Sequence, residues 1–207
     1  MRLSRTVLAA GLAVAVLVST AGFGAPASAE SLTVTLTDPE GDAHFNNAPG
    51  YLDIVQAEAT RNGQNFEFRM VLAEPIPLTL PDLPPGNSQV LWVWGLDIDP
   101  TTAPQGTPVS PGVPIAAEFV LRVVWDGNAF SGELIDRTPL LTGGEAVFTP
   151  LPFTITSNQV SIGVQASAVG NPTSFLWDIV TIYWSSQRQS LGWHPVDFFD
   201  PFWNPWP

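Results

Sequence analysis

The residue pattern predicts an all-β fold, a two-sheet antiparallel β-sandwich of jelly-roll type with about eight or nine strands. Three observations predict it. Apolar and polar residues alternate with period two in one segment after another, which is the signature of strands with one buried face. No window carries an apolar stripe of period about 3.6 between helix caps. The 207 residues are punctuated by 21 prolines and 17 glycines, which break helices and mark turns.

At the start of the chain, Arg2 and Arg5 precede an apolar run over residues 7–18 and then the triplet Ala27-Ser28-Ala29. This is the layout of a secretory signal peptide over residues 1–29, cleaved before Glu30. The run is too short for a comfortable membrane span, so a secreted or cell-envelope protein without stable membrane insertion is expected. Residues 30–190 read as one sandwich domain. Its first strand alternates Leu32, Val34 and Leu36 with threonines, and another opens at Asp53-Ile54-Val55. Phe66, Phe68, Met70 and Leu72 then alternate with Glu67, Arg69 and Val71. Val90, Trp92, Trp94 and Leu96 share one strand face, with Leu91, Val93, Gly95, Asp97 and Asp99 on the other. Phe119, Leu121, Val123 and Trp125 repeat the pattern, and Asp126-Gly127-Asn128 turns the chain into a hairpin. Strands around residues 153–156 and 159–164 flank Ser157-Asn158, and residues 175–184 form a long apolar last strand.

Proline fills residues 74–86 and 101–114, which are read as extended loops. Residues 191–207 form a tail rich in aromatics and proline, excluded from helix and from any central strand. Its large aromatics would promote association if left in solvent. The tail is therefore expected to dock on the sandwich through side chains, with proline preventing a regular added strand.

All seven basic residues are arginines, two of them in the signal segment, against 19 acids. This balance argues against nucleic acid and anionic membrane surfaces as partners, since both need clustered positive charge. It fits a cation or a neutral ligand. The absence of cysteine removes disulfides, thiolate metal sites and thiol catalysis together.

The carboxylates form the most informative pattern. Asp38, Glu40, Asp42 and Asp53 crowd into one loop region, and Asp38-Pro39-Glu40-Gly41 has the residue types of a type I turn. Like charges held this close are either splayed into solvent or gathered around a hard cation. Asp97 and Asp99 leave the double-tryptophan strand on one face, and Glu118 precedes the next strand. An oxygen-only donor set favours a hard ion, and the flexible geometry of Ca2+ suits such loops better than the strict octahedron of Mg2+. The candidate metal residues are thus Asp38, Asp42, Asp53, Asp97, Asp99 and Glu118, and the alternative is that these acids only solvate loops. The loop is no EF-hand, because Ala43 and Pro49 occupy positions where that motif needs glycine and glutamate.

Asp38-Pro-Glu-Gly-Asp42, Asp53-Ile54-Val55, the apolar segment around Phe66 to Leu72 and Trp94-Gly-Leu-Asp97-Ile-Asp99 together resemble two related groups of β-sandwiches: the family 9 carbohydrate-binding-module-like domains and the DOMON-like domains. The resemblance runs to about Trp184. It implies a sandwich that often binds calcium, with Asp38, Asp42, Asp53, Asp97 and Asp99 at matching acidic positions and Glu118 loosely aligned. The proline-filled loop and the aromatic tail depart from that pattern.

The expected function is a secreted, calcium-stabilised binding module for carbohydrate or another envelope ligand, with a polysaccharide or a cell-envelope protein as partner. The alternative is a non-catalytic structural or adhesive envelope protein. Catalysis is not expected: no G-x-S-x-G or H-E-x-x-H occurs, and His44 and His194 stand far apart in the chain. A glycosidase would use paired acids, but a cation accounts for these. Haem ligation, found in some DOMON-like domains, would need Met70, which the pattern places in the core. Trp92, Trp94 and Trp125 are expected in the core, and Trp193, Trp203 and Trp206 are the better surface candidates.

Overall fold

The computed structural model describes residues 31–43, 48–80, 89–101, 117–184, 193–198 and 204–207. The signal segment and most of the second proline-rich loop lie outside them. Twelve strands lie among these residues: β1 Ser31–Thr37, β2 Ile54–Asn62, β3 Asn65–Leu72, β4 Gln89–Asp97, β5 Phe119–Trp125, β6 Phe130–Asp136, β7 Val147–Pro150, β8 Phe153–Thr156, β9 Gln159–Gln165, β10 Phe175–Trp184, β11 Trp193–Phe198 and β12 Asn204–Trp206. They form two antiparallel sheets. The first runs β1-β2-β3-β9-β8 and the second β11-β10-β4-β5-β6-β7, with β12 also paired to β10.

The alternation explains how the sheets face one another. Phe66, Phe68, Met70 and Leu72 of β3 meet Trp92, Trp94 and Leu96 of β4 and Trp177 and Ile179 of β10 in one core. Trp92, Trp94 and Trp177 are among the largest fully buried side chains, so the tryptophans of the strands serve packing. Met70 lies in the same core.

Two expectations need correction. The first is burial of one face only, which fails in the second sheet: Leu91, Val93, Val120, Val180 and Ile182 are buried in a separate apolar layer on its outer face. Central strands buried on both sides carry apolar residues on both faces, so period two no longer identifies the inside. The second concerns the tail. It does add strands, β11 along the Val180–Trp184 half of β10 and β12 along the Phe175–Trp177 half. Proline is tolerated there because these are edge strands, and the β11 ladder shifts register next to Pro195. Trp206 is 2% exposed, not a surface platform. Its ring stacks on Phe175 with centroids 5.5 Å apart and meets the edge of Phe66 at 5.8 Å.

Candidate metal centre

The acidic loop is built where β1 hands over to β2. Asp38 N–H still donates to Val55 O (3.0 Å), so the chain stays tied to β2 as it leaves the sheet. Gly41 then takes a φ of +87°, a left-handed conformation that costs glycine little and a side chain much. This aims Gly41 N–H at Asp53 Oδ2, 2.7 Å away. Asp53 is held from the other side by a 3-10 turn over Gly50–Leu52. Two core groups fix that turn: Trp92 Nε1–H donates to Tyr51 O (3.1 Å) and Thr181 Oγ1–H to Leu52 O (2.6 Å). One residue further on, Ile54 N–H donates to Asp197 Oδ2 at 2.6 Å. Asp197 sits on β11 opposite Thr181, and it is 1% exposed.

The tail therefore brings a third acid to the loop. One carboxylate oxygen each from Asp38, Asp42 and Asp197 lies within 4.8 Å of the others. Oxygens bound to one calcium at 2.3–2.6 Å are separated by at most about 5 Å, so the triad has the spacing of a single ion's ligands. Asp53 adjoins it through the Gly41 turn, and buried Asp38 Oδ2 and Asp53 Oδ1 have no hydrogen-bond partner. Burial first, then the charges of Asp42 and Asp53, push the Asp38 carboxyl up to about 6. Burial also raises Asp53, assisted by Asp42 and Glu40 and opposed by the Gly41 hydrogen bond. These groups fit a hard, oxygen-seeking cation, whose charge would replace the protons that crowding now favours.

The remaining predicted ligands lie elsewhere. Asp97 is level with Leu176 of β10 on the outer face of its sheet, whereas Asp197 is level with Thr181 on the inner face. Five residues of strand alone separate them by about 16 Å. Asp97 and Glu118 form a group of their own, 5% and 2% exposed, with Asp97 Oδ1 and Glu118 Oε1 lacking hydrogen-bond partners. Glu118 Oε2 accepts from Ile98 N–H at 2.9 Å. Burial, then the charge of Glu118, raises Asp97 to about 6. Arg137, also buried, donates to Ala117 O (3.1 Å), and the Glu118 charge favours its protonated form against the downward pull of burial. The Arg137 charge offsets that of Glu118, and the whole group stands apart from the Asp38 triad. Asp99 instead closes the strand end, its Oδ1 accepting from Thr101 N–H and Oγ1–H at 3.0 and 2.6 Å.

Sequence reasoning missed Asp197 and Asp178. Asp197 follows Val196 in a segment dominated by its aromatics, with Asp200 three residues on, and no local pattern singles it out. Asp178, 1% exposed on β10 opposite Gly95, stands inside an apolar run. His44 and Trp203 fall outside the described residues. No family model matches the chain, and no characterised protein matches it either.

Proposed function

We propose that the chain is a secreted, calcium-stabilised, non-catalytic β-sandwich binding module, with carbohydrate or another envelope ligand as its target. The observation that carries the cation is the convergence of Asp38, Asp42 and Asp197 oxygens within 4.8 Å, beside buried carboxylate oxygens that have no partner. Gathering such groups without an ion costs repulsion and desolvation, which binding removes. The binding reading rests on the excess of acids, the scarcity of positive charge and a sandwich offering broad sheet faces.

Thermal unfolding of the purified protein in calcium against EDTA tests the cation. At ten times a dissociation constant of about 0.1–1 mM, linkage gives about 1.4 kcal/mol, or roughly 3–6 °C in Tm. Asp38→Asn and Asp197→Asn should each lose that shift, while Asp97→Asn, on the opposite sheet face, should keep it. Equal Tm in both buffers, with magnesium and manganese equally silent, would reduce the acidic loop to a solvated turn.

A further inference from the structure

The outward face of the first sheet is made chiefly of hydroxyl and amide side chains. Thr33 and Thr35 of β1 lie beside Thr60 and Glu58 of β2, and Asn65 and Glu67 of β3 lie beside Gln165 and Gly163 of β9. Thr33 and Thr60 hydroxyls are hydrogen-bonded at 2.9 Å. Charge on this face is sparse for so acidic a chain: Glu58 is paired with Arg69 across the strands, and Glu67 stands further along β3. Between β3, β9 and β8 the face sinks into a groove of about 600 Å³, open to solvent, whose walls include Asn65, Glu67, Thr154, Ser161 and Gln165, with Pro152 beside them.

Gly163 lines the middle of this groove. A glycine inside a strand weakens it, and usually marks a bulge, a bend or the close approach of a backbone or a ligand. The first three explanations fail here. The pairing with β3 runs through Gly163 without a shift, Phe66, Glu67 and Phe68 lying opposite Val164, Gly163 and Ile162, while on the other side the β8 ladder ends at Ile162 and Gly163 N–H donates to Pro152 O at 3.3 Å. Gly163 is not among the glycines with positive φ. A Cβ placed on it would meet nothing nearer than Phe66 O, at 3.9 Å. The fold therefore has room for a side chain that the sequence leaves out, and the space left open belongs to the groove.

We infer that this groove binds one chain of a neutral polysaccharide, with Gly163 left bare so that a sugar ring can lie against the strand. Hydroxyl and amide groups both donate and accept, as sugar hydroxyls do. Leu151 and Pro152 offer apolar surface for the C–H face of a ring. Among the described residues of this face Arg69 is paired with Glu58 and no positive cluster stands ready to hold an anionic polymer. The inference rests on the binding-module reading and names its ligand class and surface.

The test is native affinity electrophoresis of the full protein in gels containing hydroxyethylcellulose, xylan or galactomannan, with polygalacturonate as the anionic comparison. The parent should be retarded by at least one neutral polymer and not by polygalacturonate. Gly163→Phe, whose Cβ would meet nothing nearer than 3.9 Å and whose ring would occupy the groove, should lose that retardation while keeping the parent's Tm. Gln165→Ala, which removes a wall amide, should weaken it. Retardation of Gly163→Phe equal to the parent's would overturn the groove and leave the binding-module reading standing. If Gly163→Phe melts lower, Gln165→Ala decides, and undiminished retardation overturns the inference. A parent that no neutral polymer retards overturns both the inference and the carbohydrate reading, while the calcium melts judge the cation separately.

Discussion

Replacing Asp178 by asparagine should stabilise the protein progressively as pH rises from 4 to 7. Asp178 is 1% exposed, its Oδ1 accepts Ile179 N–H at 2.8 Å and its Oδ2 has no partner. Burial pushes its carboxyl up to about 7, against 3.8 for the group in water. Between those values the folded protein holds a proton that the unfolded chain releases. The favourable protonated state is thus fully available below about pH 4, is lost as pH rises through the window, and costs nothing further above about 7. The gap, at about 1.36 kcal/mol for each pH unit, amounts to roughly 4 kcal/mol as an upper figure. Asparagine keeps the shape and the acceptor but carries no charge. The fixed cost of burying its amide cancels when the same pair of proteins is compared at two pH values. For a domain of this length the Tm difference between variant and parent should therefore grow by up to about 8–16 °C from pH 4 to pH 8. Melts followed by tryptophan fluorescence at constant ionic strength read it directly, with EDTA present to separate it from cation binding. Parallel Tm curves for the two proteins across this range would refute the argument, because only an Asp178 as well solvated in the fold as in the unfolded chain would titrate alike in both.

Two further outcomes are expected. The calcium-induced Tm shift should be largest near pH 7.5 and shrink by pH 5, because Asp38, raised to about 6 by burial and by Asp42 and Asp53, holds a proton there that the ion must displace; equal shifts at both pH values would remove Asp38 from the site. Trp206→Ala should lower Tm by about 6–20 °C, from a loss of about 3–5 kcal/mol for a buried tryptophan; a Tm within a degree of the parent's would mean that β12 frays independently of the sandwich.

The legible parts of the fold were those in which only one sheet face is packed. β3 could be read from Phe66, Phe68, Met70 and Leu72 because the residues between them reach solvent or its edge. β4 could be recognised as a strand but not oriented by periodicity alone, since Leu91 and Val93 are as buried as Trp92 and Trp94. The acids suffered from the same ambiguity. Alternation said that Asp97 and Asp99 leave β4 together, but only the strand order decides that Asp97 faces away from the core layer beneath the Asp38 loop. Asp197 was illegible for a different reason. Its partner Ile54 is 143 residues away, and no local pattern reports a pairing of that range.

That long-range bond gives the tail a role beyond covering the sheet. Without β11 and β12, β10 would present a row of unpaired backbone groups along an apolar strand, a template for association. Side chains of the tail alone could have shielded Phe175, as Trp206 does, yet they could not satisfy those groups. Ordering the chain end costs entropy at every residue, so the contacts that hold it must lie at separated points along it. Two such points are visible: Trp206 locked between Phe175 and Phe66 at one end of β10, and Asp197 bonded to Ile54 N–H at the other. A cation shared by Asp38, Asp42 and Asp197 would strengthen the second point and leave the first untouched. Calcium should then protect β11 from hydrogen exchange more than β12, a difference that a purely local acidic loop would not produce.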